Sequence, residues 1–312
     1  MQAERYNGLI AVWKEQGYTS HDVVAKLRGI LHQKKIGHTG TLDPQAEGVL
    51  AVGLGLGTKT FDLLPDHWKT YEAEVTFGVQ TDTEDIWGNV LKTHDVSKTP
   101  EEIIQAICSF GGTYDQIPPM YSAKKIDGKK LYQLAREGKI VERKAVPVTL
   151  KDIQVLSVKD NKARFIVTCS AGTYIRTLCV DIGKKLGCEA CMSSLTRVMA
   201  GGFSKEQALT LEKIKELADK NELESRLISI DTALGHFPKV IASNEFEKQL
   251  KNGNAISINA VLGLQEASID VCSHEMRVRL YLNNNGLDEF IGVYHLDKNS
   301  RLLKPVKIFY RN

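Results

Sequence analysis

Long apolar runs are missing from this chain. The longest mostly apolar stretch, Gly48 to Leu56, falls far short of the roughly 20 residues a membrane-spanning helix needs. The opening MQAERYNGLI has no basic start followed by an apolar run, and it lacks the Arg-rich, acid-poor character of a transit peptide. The expected location is therefore the cytoplasm. Cysteine is sparse: Cys108, Cys169, Cys179, Cys188, Cys191 and Cys272 are the six thiols among 312 residues. Without a secretory leader, reduced thiols are the default. Cys188 and Cys191 form a lone CxxC with no second CxxC or closely spaced His pair, whereas a structural zinc takes four ligands. The expectation is two small apolar residues on one helix, and no metal.

Nucleotide-cradling motifs are missing as well. Gly53, Gly55 and Gly57 have GxGxG spacing, not GxGxxG, and no Lys-Ser/Thr pair comes directly after a glycine as in a P-loop. Close packing of an apolar segment accounts for them better. There is no GxSxG and no HExxH, and of the scattered histidines only His38 lies among several polar neighbours. A metabolic enzyme on a mixed α/β fold would need a cofactor motif, and none is found.

Charge is present but uneven. The net charge is only +3, yet Tyr121 to Lys144 holds eight basic residues against three acidic ones, so the rest of the chain is net negative. Such asymmetry suits a polyanion-facing surface. On charge alone it suits a solvated helix face equally well.

The 42% hydrophobic content can fill a sizeable core, and the length allows one large domain or two. Thr19-Ser20 before HDVVAKLRGIL reads as a capped amphipathic helix. A polar loop, QKKIGHTGTLDPQAEG, follows it. Tyr71 to Phe77 alternates like a half-buried strand. Thr99-Pro100 starts a helix that ends by Gly111-Gly112, and Lys130 to Gly138 reads as another. Val146 to Val158 and Ala163 to Cys169 read as strands, Tyr174 to Leu186 as a helix closed by Gly187, and Leu211 to Leu217 as a short helix. Near Gly235-His236-Phe237-Pro238 the texture shifts to short β-like runs (AISI, RVRLYL, FIGVYHL, KPVKIFY). These predict a small β-rich domain over 238–312 after a larger one over 1–237.

The most unusual stretch is Gly37-His38-Thr39-Gly40-Thr41-Leu42-Asp43-Pro44. Its glycines and proline impose an irregular backbone beside rigid apolar runs, where chemistry tends to reside. Asp43 is biased toward extended geometry by Pro44. Taken alone, it suits a turn cap better than a catalytic carboxylate.

GHTGTLDPQAEGVLAVGLGLGTKT resembles the active-site signature of the TruB family of tRNA pseudouridine-55 synthases. Further blocks match in the same order: Lys69 to Tyr71 with Phe77 to Thr83, Pro118 to Lys125 with Tyr132 to Arg136, Cys169 to Leu178, and Leu195 to Arg197. Together they cover most of residues 8–203. The chain departs from the family pattern in three places. Lys14-Glu15 lacks a usual proline, Ala171 replaces a common lysine, and Thr196 and Val198 interrupt an arginine-rich stretch.

The resemblance implies an α+β fold, with a mixed, mainly antiparallel sheet in the catalytic domain and a PUA-like RNA-binding domain over 238–312. It implies an isomerase that flips a T-loop uridine out of tRNA, breaks its N1–C1′ bond and rejoins the uracil through C5, with no cofactor. Asp43 would be the nucleophile, with C6 of the base and C1′ of the ribose both open to it. Arg176 would pair with Asp43 and hold its charge in a desolvating pocket. Tyr71 would stack on the uracil and is a candidate for proton abstraction. His38, Tyr174, Leu195, Lys14, Lys124 and Lys125 would contact substrate. The expected partner is the tRNA T arm, met by a monomer without guide RNA, obligate protein partner or membrane. The alternative is a non-catalytic tRNA-binding or tRNA-folding protein on the same scaffold.

Overall fold

The computed structural model describes residues 4–64, 68–122, 124–126, 128–263 and 276–310. Cys272 lies outside the described residues. A nine-stranded mixed sheet forms the larger part. Its main path runs Gly8–Lys14, Glu47–Leu54, Ala190–Ala200, Lys69–Phe77, Lys162–Cys169, Val146–Lys159, Gly112–Gln116. Ile36–Thr39 adds to Glu47–Leu54, and Phe203–Ser204 to Ala190–Ala200. All of these pairings are antiparallel except the short one between Glu47–Leu54 and Ala190–Ala200, where Arg197 lies opposite Gly48.

Local chemistry explains the elements. In Lys69–Phe77 the side chains of Tyr71, Ala73, Val75 and Phe77 are buried while their neighbours are half exposed, as a pleated strand on a core demands. Thr19 and Asp22 make a reciprocal capping box on Ser20–Leu31, and Thr99 and Glu102 make another on Pro100–Cys108. Ile103 and Ile107 pack with Leu178 and Ile182 of Ile175–Leu186 against Val75, Phe165 and Val167. Helices Ser20–Leu31 and Leu211–Asp219 cover Ile10, Val12, Leu50 and Val52. Leu9 and Ala11, pointing to the opposite face, pack with Leu64 and Phe203.

A six-stranded sheet follows, in the order Ile256–Ser257, Leu302–Ile308, Leu287–Asp297, Arg277–Asn284, Lys239–Ala242, Val261–Leu262, over a core that includes Val240, Leu280, Ile291 and Leu303. It is packed onto the larger part. Leu56, Leu63, Ile230 and Leu234 share a buried cluster with Val293 and Phe309. Arg279 donates to Asp231 and to the Phe237 carbonyl, and Lys307 pairs with Asp62 at 3.0 Å. Among the described residues no helix is long and apolar enough to cross a membrane.

Three expectations need correction. Gly37, His38 and Thr39 are not loop: Ile36–Thr39 pairs with Glu47–Leu54, which supplies the ladder partners that a local reading cannot see. Cys188 and Cys191 do not share a helix. Gly187, at φ 71°, ends Ile175–Leu186 in the left-handed region, and Cys191 already lies in the strand Ala190–Ala200. The helix expected from Lys130 to Gly138 is only Leu131–Arg136, because Lys129–Lys130 pairs with Lys125–Ile126.

The glycine series around Gly53 is a packing device. A Cβ on Gly57 would lie 2.1 Å from the Gly8 carbonyl oxygen, and one on Gly53 would lie 2.8 Å from the Gly57 carbonyl carbon. Gly57→Ala is expected to lose about 1–3 kcal/mol of unfolding free energy by overpacking. Gly29→Ala, in an exposed helical position with open space around it, should gain about 0.4–1 kcal/mol. Denaturant titrations of both variants check this.

Candidate active site

Loop 40–46 joins Ile36–Thr39 to Glu47–Leu54 and is tied down residue by residue. Arg197 is wholly enclosed and donates to Gly40 O at 3.0 Å, Thr41 O at 3.4 Å and Val49 O at 2.8 Å. The Ser20 hydroxyl accepts from the Leu42 N–H at 2.9 Å and donates to the Leu42 carbonyl at 3.3 Å. The Pro44 carbonyl accepts from Lys14 Nζ at 3.2 Å and from the Gly17 N–H at 2.8 Å. These bonds hold the backbone on both sides of Asp43.

The Asp43 carboxylate meets Arg176 through both oxygens, with Nε–Oδ2 at 2.8 Å and Nη2–Oδ1 at 3.3 Å. Arg176 enters from the first turn of Ile175–Leu186 with its side chain only 5% exposed, whereas that of Asp43 is 40% exposed. The guanidinium also donates to Thr83 O at 2.9 Å and Tyr121 O at 2.8 Å. One planar fork therefore joins the Asp43 loop, the 81–89 turn and the 118–122 segment, as only Arg among the cations can. Asp85 stands 3.9 Å away on the far side of Arg176. Burial pushes the Asp85 carboxyl up, against the Thr83 hydroxyl and Arg176, which pull it down.

The pair opens into a cavity of about 680 Å³, a size typical of small-molecule sites. Its walls include Tyr71, Tyr132, Tyr174, Leu195, Arg136 and Lys69. Five residues singled out from sequence thus meet in one place: Asp43, Arg176, Tyr71, Tyr174 and Leu195. Burial pushes Tyr71's phenol up, while the charge of neighbouring Arg197 pulls it down. Burial also lowers the Lys69 ammonium, with Arg197 acting the same way.

The other four fall elsewhere. Lys14 is wholly enclosed and spends its ammonium on the carbonyls of Glu15, Tyr18 and Pro44. It supports the Asp43 loop from behind, which corrects the expectation of a substrate contact. His38 is half-buried on Ile36–Thr39, with Nδ1 buried and without a partner among the described residues, and is not a wall of the cavity. Burial, then the charges of Arg197 and His21, lower its proton affinity. Lys124 and Lys125 are exposed and do not line the cavity, although Tyr121 and Ser122 just before them do. Asp85 and Ser20 build the site without being marked in the sequence, and Arg197 is visible there only as part of the Leu195 to Arg197 block. Their signal is weak because each acts on a backbone or guanidinium group far away in the chain. Among the described residues no three His, Cys, Asp or Glu side chains are placed to hold a metal ion.

The architecture is that of the pseudouridine synthases. The chain aligns with a protein from a solved structure titled "Crystal Structure of a Cbf5-Nop10-Gar1 Complex" at a TM-score of 0.70 and 25% identity, covering 97% of this chain and 85% of that one. Residues 28–175 match the model described as TruB family pseudouridylate synthase (N terminal domain). Residues 176–235 match the one described as tRNA pseudouridylate synthase B C-terminal domain. Proteins named tRNA pseudouridine synthase B from Alkaliphilus oremlandii and Lachnoclostridium phytofermentans are 43% and 45% identical, each match covering 97% of this chain and 99% of the relative. The chain belongs to the TruB family of pseudouridylate synthases.

The Lys14 clamp carries a pH signature. Burial pushes its ammonium down to about 8 from an ordinary 10.5, with Asp43 pulling the other way. The folded value lies below the unfolded one, so between them the unfolded chain holds more protons. Stability contributed by this group then rises with pH through that window. The unfolding free energy of wild type relative to Lys14→Met should therefore increase from about pH 8 to about pH 10. A flat difference would mean an unshifted ammonium.

Proposed function

We propose that this chain isomerises the T-loop uridine at position 55 of tRNA to pseudouridine, with Asp43 as the covalent nucleophile. The observation that carries the reading is the two-oxygen pairing of Asp43 with buried Arg176 at the open cavity under Tyr71. The names of the near-full-length relatives support tRNA as substrate. The T-loop position rests on the family resemblance.

The chemistry follows from the residues. The N1–C1′ bond breaks, the uracil turns, a C5–C1′ bond forms, C5 gives up its proton and N1 takes one. Atoms and electrons balance without an oxidant, a reductant or an energy donor. A carboxylate can hold the intermediate covalently while the ring turns, and the exposed face of Asp43 is available for that bond. The Tyr71 ring supplies a stacking wall, worth about 1–3 kcal/mol per base. Burial favours its protonated phenol, so proton relay suits it better than standing as a phenolate. Tyr174 and Leu195 close the pocket around the base.

The uridine must leave its loop to reach Asp43, at a cost of a few kcal/mol that backbone contacts offset. The basic 121–144 segment is the phosphate-facing surface, with Lys124 and Lys125 exposed just after Tyr121 and Ser122 of the cavity wall and Arg136 on that wall. The part over 238–312, with its six-stranded sheet, acts as a PUA-type domain that extends the RNA contact. The protein works as a cytoplasmic monomer without guide RNA.

Tritium release from tRNA labelled at uridine C5 tests the reading. Wild type should release tritium with the product at position 55, and Asp43→Asn should lose roughly 10³-fold or more in rate while still binding tRNA. An active Asp43→Asn removes the nucleophile assignment. The double variant Lys124→Ala, Lys125→Ala should weaken binding and lower the salt slope by roughly 0.7–0.9 for each phosphate no longer neutralised. An unchanged slope moves the phosphate surface elsewhere.

A further inference from the structure

The helix that presents Arg176 lacks an ordinary N-cap. Its N-cap residue, Tyr174, makes no side-chain cap hydrogen bond. The first turn nevertheless carries Tyr174 and Arg176, two walls of the cavity, and small errors in its placement reach the Asp43 pair directly. What fixes this turn comes from a strand 58 residues earlier. Gln116, the last residue of Gly112–Gln116, is 1% exposed. Its side-chain carbonyl accepts from the Tyr174 N–H at 2.8 Å, and its amide nitrogen donates to the Tyr174 carbonyl at 3.0 Å. The second amide hydrogen goes to the Tyr114 hydroxyl at 2.6 Å.

We infer that Gln116 is a positioning residue for the isomerisation: it holds the backbone of Tyr174 from both sides and so sets where Arg176 meets Asp43. The inference rests on the proposed function and adds a residue to the same site. No other side-chain type reproduces the brace at every pH. A primary amide offers one acceptor and two donors, and this site uses all three. An apolar residue of similar volume would leave the Tyr174 N–H without this partner and the Tyr174 carbonyl with only the Leu178 N–H. The packing clusters near Gln116 would survive such a change, because it projects from the end of its strand onto the helix start. The loss falls on geometry, and misplacement near 1 Å around a reacting centre costs up to roughly 100-fold in rate.

Glutamate separates positioning from simple packing. In Gln116→Glu the protonated carboxyl accepts from the Tyr174 N–H and donates its O–H to the Tyr174 carbonyl, and the Tyr114 hydroxyl rotates to donate to it. Once ionised it is acceptor-only, so the Tyr174 carbonyl loses its side-chain donor, keeps only the Leu178 N–H and faces a negative charge. Burial holds the carboxyl above its ordinary value of about 4.3. The brace in Gln116→Glu is therefore intact at low pH and opens as pH rises.

The experiment measures tritium release by wild type, Gln116→Leu and Gln116→Glu from about pH 5.5 to about pH 8.5, with kcat and KM separated. In Gln116→Leu, kcat should fall roughly 10- to 100-fold across the range, with KM little changed. In Gln116→Glu, kcat should approach wild type at the acid end and decline as pH rises, a limb that neither of the other proteins shows. A Gln116→Glu profile parallel to wild type overturns the proposal, as does a Gln116→Leu effect confined to KM. Turnover absent from wild type itself would sink the functional reading instead. In that case the Tyr174 backbone amide resonance of Gln116→Glu still reports on the brace: a shift that titrates supports it, and one that does not rejects it.

Discussion

Everything around the cavity depends on keeping one carboxylate both paired and reachable. A guanidinium buried on its own would be costly, and a carboxylate buried with it would be closed to substrate. Here Arg176 is enclosed and its donors are taken up by two backbone carbonyls as well as by Asp43, whose remaining surface faces open space. The pair works only if the two residues approach from independent rigid elements. The backbone on either side of Asp43 is held by Arg197, Ser20 and Lys14. Arg176 rides on a helix packed into the largest core cluster. Two enclosed cations thus serve the backbone carbonyls of a loop, and a third serves its carboxylate.

What was legible in the sequence follows the range of the interactions involved. Thr19 and Thr99 announce their helices because a cap and its partner lie three residues apart. Tyr71 to Phe77 announces a strand because alternation is local. Asp43, Arg176, Tyr71, Tyr174 and Leu195 were found because collinear blocks tie distant positions together, which no single motif does. The failures concern direction. Whether Lys14 points inward or toward substrate depends on carbonyls at Tyr18 and Pro44. Whether His38 lies in loop or strand depends on Val52 across a ladder. The break between Cys188 and Cys191 comes from Gly187 turning the chain back into a sheet. A spacing rule carries none of this information.

The two sheets are joined by more than a linker. The shared cluster of Leu56, Leu63, Leu234, Val293 and Phe309 is apolar, and Arg279 ties the 231–237 segment to the second sheet through Asp231 and Phe237. Apolar burial supplies attachment and the hydrogen-bonded arginine supplies orientation. The second sheet is therefore held in a fixed pose against the strands and turns that carry the glycine packing around Gly57.

The short parallel pairing has a temporal consequence. Arg197 reaches back 148 residues to Val49 and 157 residues to Gly40, so the Asp43 loop is finished only when nearly two thirds of the chain is available. Contacts of such sequence separation form late, after the entropy of closing a large loop has been overcome. During synthesis, which runs from the N-terminus, the early hairpin of Ile36–Thr39 with Glu47–Leu54 has all its local partners but neither Arg176 nor Arg197. A ribosome-bound fragment thus carries the carboxylate loop without the two arginines that set it, and the paired geometry forms only after both have been made.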